Sequence, residues 1–391
     1  MELRKYKGQE PLSLLGFGAM RLPRLNDQTQ EIDKEKAFEM IDYAMAHGVN
    51  YYDTSYVYHA GLSEPFLGEA LSRYPRESYH IATKLPPWPP VSTEDDIKRI
   101  FDEQLARFKT DYFDFYLIHN YSSNTRKNIE KLHFYDFLRE KKEQGYIKRL
   151  GFSMHDTPEM LAEIADKHEW DFAQIQLNYL DWDMQKAKEQ YEVLTSRGLP
   201  VTVMEPIRGG GLVNLCPESI KILHDYNPDA SAASWALRFV ASLPNVLVVL
   251  SGMSTLDQVK DNINTMTNFK PLSDEERAVL EKAVAAYRKT GSIPCTSCGY
   301  CMPCPAGVDI PRTFALYNAH CAKKSAWDFV QEYRALGDEH QAHRCIRCGK
   351  CMTHCPQNIK IPDQMHSIAE FAAEMMRTTP DRPFADAVKI K

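Results

Sequence analysis

Three titratable side chains stand where short apolar runs end: Asp53 in VNYYDT, Lys84 in YHIATKL and His119 in YFDFYLIH. Tyr58 follows just past Asp53. Hydride addition to a carbonyl creates an alkoxide, which needs a proton donor and a field that stabilises negative charge. A tyrosine of pKa about 10 donates poorly near neutrality unless an adjacent ammonium lowers that value. Lys84 can supply the charge, Asp53 can hold Lys84, and His119 can orient a carbonyl oxygen. Taken singly, each residue has an ordinary reading as a cap, a packed ring, a snorkelling lysine or a core histidine. Their joint placement points to carbonyl reduction.

A second chemistry is written in sulfur. Eight of the ten cysteines fall in two stretches, CTSCGYCMPCP at 295–305 and CIRCGKCMTHCP at 345–356. In a reducing compartment such grouping reads as metal ligation before disulfide formation. Thiolates at C-x₂-C-x₂-C with a later Cys-Pro wrap three corners of a cubane, the fourth corner being ligated from elsewhere. Zinc is the alternative, but it favours two separated cysteine pairs around one tetrahedral centre, and two runs of four suit cubanes better. Cys216 and Cys321 are expected to be inert. The two runs resemble bacterial-type ferredoxins carrying two [4Fe–4S] clusters, over residues 294–365, with a long helical spacer like that of α-helical ferredoxins. In such proteins the fourth cysteine of each run serves the other cluster. The resemblance therefore implies Cys295, Cys298, Cys301 and Cys355 around one cluster, and Cys304, Cys345, Cys348 and Cys351 around the other. One departure is the first run, C-x₂-C-x₂-C-x₂-C-P, a residue shorter than the usual spacing before its last cysteine.

The elements that must carry these groups are legible as alternation. Eight β-branched or aromatic runs read as strands: 14–20, 49–54, 79–85, 112–119, 147–153, 172–179, 200–206 and 245–252. Between them lie amphipathic segments such as KEKAFEMIDYAMAHG, TEDDIKRIFDEQLARF, KNIEKLHFYDFLREKKEQG and PEMLAEIADKH, apolar at i, i+3, i+4 and i+7. Eight strand–helix units predict a closed (β/α)₈ TIM barrel, in which polar residues at the C-terminal strand ends form the site. No G-x-G-x-x-G follows the first strand, which disfavours an open doubly wound sheet. We place the barrel at 1–290. A smaller, mostly helical iron–sulfur domain follows at 291–391, with RTFALYNAHCAKK and SAWDFVQEYRAL between the cysteine runs, PDQMHSIAEFAAEMMR after them, and a loose tail.

With the elements in place, NYYDTSYVYHAGLSE, IATKL, YLIHN, GFSMHD, IQLNY and SGMSTLDQVKDN resemble, in that order, the aldo/keto reductase family over about residues 10–290. The family pattern D-T-x-x-x-Y matches Asp53 to Tyr58, and its catalytic lysine and histidine match Lys84 and His119. The resemblance implies a nicotinamide cofactor across the barrel mouth, with Ser153 and Gln176 holding its carboxamide and Asn262 contacting adenine. The usual asparagine beside that serine is Met154, and the position of the stacking ring falls at Met204, followed by Glu205. The positions that grip a 2′-phosphate fall about at Gly252 and Gln258, neither cationic. Arg208 with Gly209, Gly210 and Gly211 offers an anion nest for a diphosphate, or is an ordinary loop. NAD(H) or a flavin is the expected organic cofactor.

The totals bound the rest. The chain has 391 residues, 43% apolar and 26% charged, which suits a packed globular protein. A net charge of −6 argues against a nucleic-acid partner. No apolar run is long enough to cross a bilayer and the polar start lacks a signal-peptide core, so the cytoplasm is the expected location. Nicotinamide delivers two electrons as hydride, whereas a cluster passes one, and a flavin handles both. The expected protein is an oxidoreductase acting on a small carbonyl-type substrate, its tail relaying electrons from a ferredoxin-type carrier. Two alternatives remain: an NADH-dependent carbonyl reductase with structural clusters, and an electron-transfer or docking protein on a retired barrel. Trp88, Trp182 and Tyr56 are candidate pocket aromatics.

Overall fold

The computed structural model describes residues 1–5, 11–26 and 29–379. The tail read as loose, from residue 380 on, lies outside them. By compactness the chain divides into two units. One comprises Met1–Val213 with Tyr226–Leu280; the other comprises Asn214–Asp225 with Glu281–Lys391.

The first unit is a closed barrel of eight parallel strands: β1 Leu15–Gly18, β2 Tyr51–Asp53, β3 His80–Leu85, β4 Phe113–Ile118, β5 Ile147–Met154, β6 Phe172–Gln176, β7 Val201–Met204 and β8 Val246–Gly252. Seven of the eight predicted runs contain their strand, trimmed by a residue or more at most ends, whereas β5 runs one residue beyond the predicted 147–153, to Met154. Closure is made by β8, which pairs with β7 on one side and with β1 on the other, Val249 against Leu15 and Gly252 against Gly18. Gly16 of β1 faces a crowded neighbour, because a Cβ there would meet Leu250 and Val248 side chains at 2.7 Å. Strands covered on both faces need near-continuous apolar sequence, which is why these segments read as runs and not as strict alternation.

Helices on the outside begin where a side chain caps them. Asp33, Thr93, Thr157, Ser231 and Thr255 each accept a hydrogen bond from the amide three residues on. One helix expectation is corrected. KNIEKLHFYDFLREKKEQG reads as a single amphipathic run, yet it forms two helices, Arg126–Lys131 and Phe134–Glu143. His133 between them takes a left-handed φ of 51° and turns the chain.

An antiparallel ribbon, Leu3–Arg4 with Leu12–Ser13, was not anticipated. It closes the end of the barrel where the strands begin. Leu12 joins an interior cluster with Tyr51, Phe115, Phe172 and Leu247, and the Arg4 guanidinium donates to the Leu243 carbonyl at 3.1 Å and to those of Ala241 and Val246. With that end plugged, the mouth at the C-terminal strand ends is left for chemistry.

The second unit packs helices Ile310–Lys323, Ala326–Ala335 and Ile361–Thr378 around Val308, Phe314, Val330, Tyr333, Met365 and Ile368. Its duplication extends beyond the cysteines. Ser297 and Arg347 share a φ of 54°, and Gly299 and Gly349 follow at 79° and 76°. The Met302 amide donates to Gly299 at 2.9 Å as the Met352 amide does to Gly349 at 3.0 Å. CPAGVDIP and CPQNIKIP each lead into a helix whose second residue is proline. Among the described residues, no helix is long and apolar enough to cross a membrane.

Candidate functional site

The register of the barrel sets three strand ends side by side. Asp53 pairs across the ladder with Gly18 and Ala82, and Lys84 with Leu117, two residues before His119. Lys84 is wholly buried, and its ammonium donates to Asp53 Oδ1 at 2.7 Å, to Asp53 Oδ2 at 2.8 Å and to the Thr54 carbonyl at 2.7 Å. All three of its protons are therefore directed.

Tyr58 opens a short 3₁₀ turn, Tyr58–Gly61, bent by left-handed backbone at His59 and Ala60. That bend brings the Tyr58 ring to 5.0 Å from Lys84 Nζ and 5.9 Å from the His119 ring, edge to face at 83°. His119 Nδ1 lies 3.0 Å from Ser55 Oγ, and the half-buried Trp88 ring stands 4.9 Å from the imidazole. Tyr58, Lys84, Asp53 and His119 thus share one enclosure.

Burial pushes the Lys84 ammonium down and the Asp53 carboxyl up, each opposed by attraction to the other. His119 is held well below the ordinary histidine value, first by burial and then by the positive charges of Lys84 and His155. It is neutral at neutral pH. His155 is pushed down to about 4 by burial, opposed by its hydrogen bond to Gln176. His155 and Ser55 were not singled out from the sequence, although both lie inside stretches that carried the family resemblance.

The remaining candidates are placed as follows. Ser153, one residue before the end of β5, accepts from the Asn120 amide at 2.9 Å through Oγ. Gln176, ending β6, donates through Nε2 to Asp181 at 2.7 Å. Asp181 also accepts from Asn178 at 2.6 Å and lies 3.1 Å from Arg208 Nε, so a buried carboxylate gathers these side chains. The sequence offered Arg208 to an anion; in the fold its guanidinium is turned to Asp181. Arg208, Gly209 and Gly210 have φ of 54°, 62° and 90°. The amides of Arg208, Gly210 and Leu212 donate back to Glu205 and Ile207 at 2.9, 3.1 and 3.2 Å. A Cβ added at Gly210 or Gly211 would meet open space. Asn262 is buried and donates to Ser251 Oγ at 2.9 Å. Arg21 pairs with Glu205 just past β7 at 3.1 Å, so this cation faces a carboxylate. Of the pocket aromatics, Trp88 meets His119. Tyr56 donates to Glu103 at 2.8 Å, and Trp182 packs on Phe239 at 5.5 Å.

In the second unit the thiols fall into two groups. Those whose charge acts on Cys301 are Cys298, Cys295 and Cys355. Those acting on Cys351 are Cys345, Cys304 and Cys348. Burial raises the pKa of both Cys301 and Cys351. A cavity of about 260 Å³ is lined by Cys301, Cys304, Cys345, Cys348 and Cys351 together with Ile310 and Met365. Among the described residues, no three His, Cys, Asp or Glu side chains converge on a single metal ion. Soft thiolates gathered about a largely apolar cavity are the donor chemistry of an iron–sulfur cluster.

Comparison with known proteins bears on both units. The model of the aldo/keto reductase family matches residues 14–285, and that of the 4Fe-4S dicluster domain matches 294–359. Among curated relatives, the oxidoreductase YqkF of Bacillus subtilis is 25% identical over 69% of this chain and 92% of its own. The L-galactose dehydrogenase of Arabidopsis thaliana is 24% identical over 69% and 89%. Among solved structures, aldo-keto reductase AKR11C1 from Bacillus halodurans in its holo form superposes with a TM-score of 0.60 at 26% identity, covering 72% of this chain and 96% of its own. A Klebsiella pneumoniae aldo-keto reductase in complex with NADPH has the same fold, with a TM-score of 0.57 at 22% identity over 73% and 96%.

Proposed function

The chain belongs to the aldo/keto reductase family, and from that premise we propose that this oxidoreductase reduces a small carbonyl-type substrate with Tyr58 as proton donor, its iron–sulfur domain passing electrons from an external one-electron carrier. The observation that carries the reading is the Lys84 ammonium, fixed by Asp53 and Thr54 and set 5.0 Å from the Tyr58 ring. A cation held there favours the phenolate left after proton transfer, and so eases the loss of the proton to a forming alkoxide. His119, neutral and bound through Nδ1 to Ser55, turns its other ring nitrogen to the substrate oxygen, with the Ser55 hydroxyl setting the tautomer. The Trp88 ring, 4.9 Å from the imidazole, limits the access of water to it.

Ser153 and Gln176 would hold a nicotinamide carboxamide, and Asn262 belongs to the adenosine side. Arg208 acts through Asp181 to keep Gln176 in place, while Gly210 and Gly211 leave the loop edge open. The group bound there, NAD(H) or a flavin, supplies hydride when present. We assign Cys295, Cys298, Cys301 and Cys355 to one [4Fe–4S] cluster and Cys304, Cys345, Cys348 and Cys351 to the other; the two thiol groupings and the cavity support this.

One observation favours a second reading, in which the clusters only brace the domain. Six of the thiols, Cys295, Cys301, Cys304, Cys345, Cys351 and Cys355, pack against the apolar core. A single experiment separates the readings: reduction of an aldehyde by anaerobic protein, driven either by NADH or by a reduced low-potential carrier. Tyr58→Phe is expected to cut both rates by about 100-fold or more, whereas Cys298→Ala with Cys348→Ala abolishes only the carrier-driven rate. Full carrier-driven activity in the cysteine variant would sink the relay, and an unchanged rate in Tyr58→Phe would sink the proton donor.

A further inference from the structure

The two thiol groups differ in what surrounds them. The first run, 295–305, has no charged side chain. The second lies in a stretch, 344–360, that contains Arg344, Arg347, Lys350 and Lys360 and no carboxylate, in a chain whose net charge is −6. Arg344 turns to Asp338, and Arg347 reaches Asp363 at 2.5 Å. Lys350 and Lys360 are exposed, and among the described residues neither has a carboxylate within ion-pair distance.

Lys350 lines the cavity that Cys304, Cys345, Cys348 and Cys351 share, and so do Met302, Ile346 and His354. Cys348 is exposed, whereas every other cysteine of the two runs is partly covered. Two apolar side chains of that lining also face solvent: Ile346 is 66% exposed and Met302 37%. Two apolar tips beside Lys350 form the usual anatomy of a small recognition patch, with an apolar centre and a polar rim. Its positive charge on an acidic protein is a steering field for an anionic partner.

We propose that this rim is a docking port for a small acidic one-electron carrier protein, electrons entering at the cluster bound by Cys304, Cys345, Cys348 and Cys351. The proposal rests on the reading that these thiols hold iron. It adds the face, the order of the clusters and the charge of the partner. In the step itself one electron leaves the carrier, which is oxidised, and reduces the thiolate-bound iron; no bond or proton moves. Positive charge near that iron also favours its reduced form over that of the cluster in the uncharged run.

The test is rapid mixing of the anaerobic, cluster-loaded chain with acidic flavodoxin in its hydroquinone form, whose colour change reports oxidation. The wild-type second-order rate should fall steeply with added salt. Lys350→Glu should slow it roughly tenfold at low salt and flatten the salt dependence. Lys282→Glu, the same charge change on the exposed face of helix Asp274–Arg288, should leave the rate within about twofold of wild type. Iron and sulfide contents are measured on all three proteins. Equal slowing by both variants, or no slowing by Lys350→Glu, overturns the port while the iron reading stands. Absent iron and sulfide overturn both. Dimerisation of the wild type lost in Lys350→Glu, with a rate indifferent to salt, would show that a second copy of this chain occupies the rim and not a carrier.

Discussion

Lys84 is a cation without water around it, and its environment is answerable to a short list of atoms. Asp53 supplies two oxygens and Thr54 one, so the ammonium is saturated and faces Tyr58 without freedom to turn elsewhere. Removing one partner of such a pair leaves a buried charge and costs about 3–5 kcal/mol. The histidines behave differently, because burial makes both His119 and His155 neutral in the fold, reinforced at His119 by the Lys84 charge. Their folded pKa lies below the unfolded value of about 6.5, so as pH falls the unfolded chain takes up protons first. The stability this contributes is fully present above about 6.5 and declines as pH falls toward the folded value, about 4 for His155. His155→Asn should therefore lose less stability than wild type between pH 7 and pH 5, by no more than about 2 kcal/mol. Denaturant unfolding at a series of pH values checks this; parallel curves for the two proteins would refute it.

At the scale of elements, the site depends on helices that never touch substrate. Helix Ser63–Leu71 presses on helix Glu94–Phe108 at Gly68, where a Cβ would lie 2.0 Å from the Arg107 carbonyl oxygen. That approach lets Arg107 pair with the buried Glu64 at 2.9 Å. Glu64 in turn accepts from Thr83 Oγ1 at 2.5 Å, and Thr83 is the neighbour of Lys84 on β3. The helix contact thus reaches the strand that carries Lys84 through a chain of hydrogen bonds. Gly68→Ala is expected to destabilise the barrel by about 1–3 kcal/mol, since a packed backbone has to move. Gly211→Ala, whose new methyl meets open space, should be nearly neutral. Thermal unfolding of the two variants decides, and equal midpoints would show that the helices yield at little cost.

The whole molecule combines a large barrel core with a small unit that has fewer apolar residues to bury. Small domains commonly need a metal or disulfides to hold them, and here thiols ring the core of three helices. Removing iron by oxidation and chelation should open the region beyond residue 291 to proteases while leaving the barrel resistant. Mass mapping of the fragments checks this, and identical cleavage with and without iron would argue that the helices stand alone. Much of this organisation can be read along the chain. Each of the eight strands announces itself by a local apolar run, as in YHIATKL, and the cysteine runs and DTSYVY are spaced within a few residues. Such features follow from short-range sterics, period and ligand geometry, which sequence records directly. The plug formed around Leu12, the break at His133 and the turning of Arg208 to Asp181 were settled only by the fold. Each depends on which distant side chain a buried charge or an apolar tip meets, and no periodicity along a chain encodes that meeting.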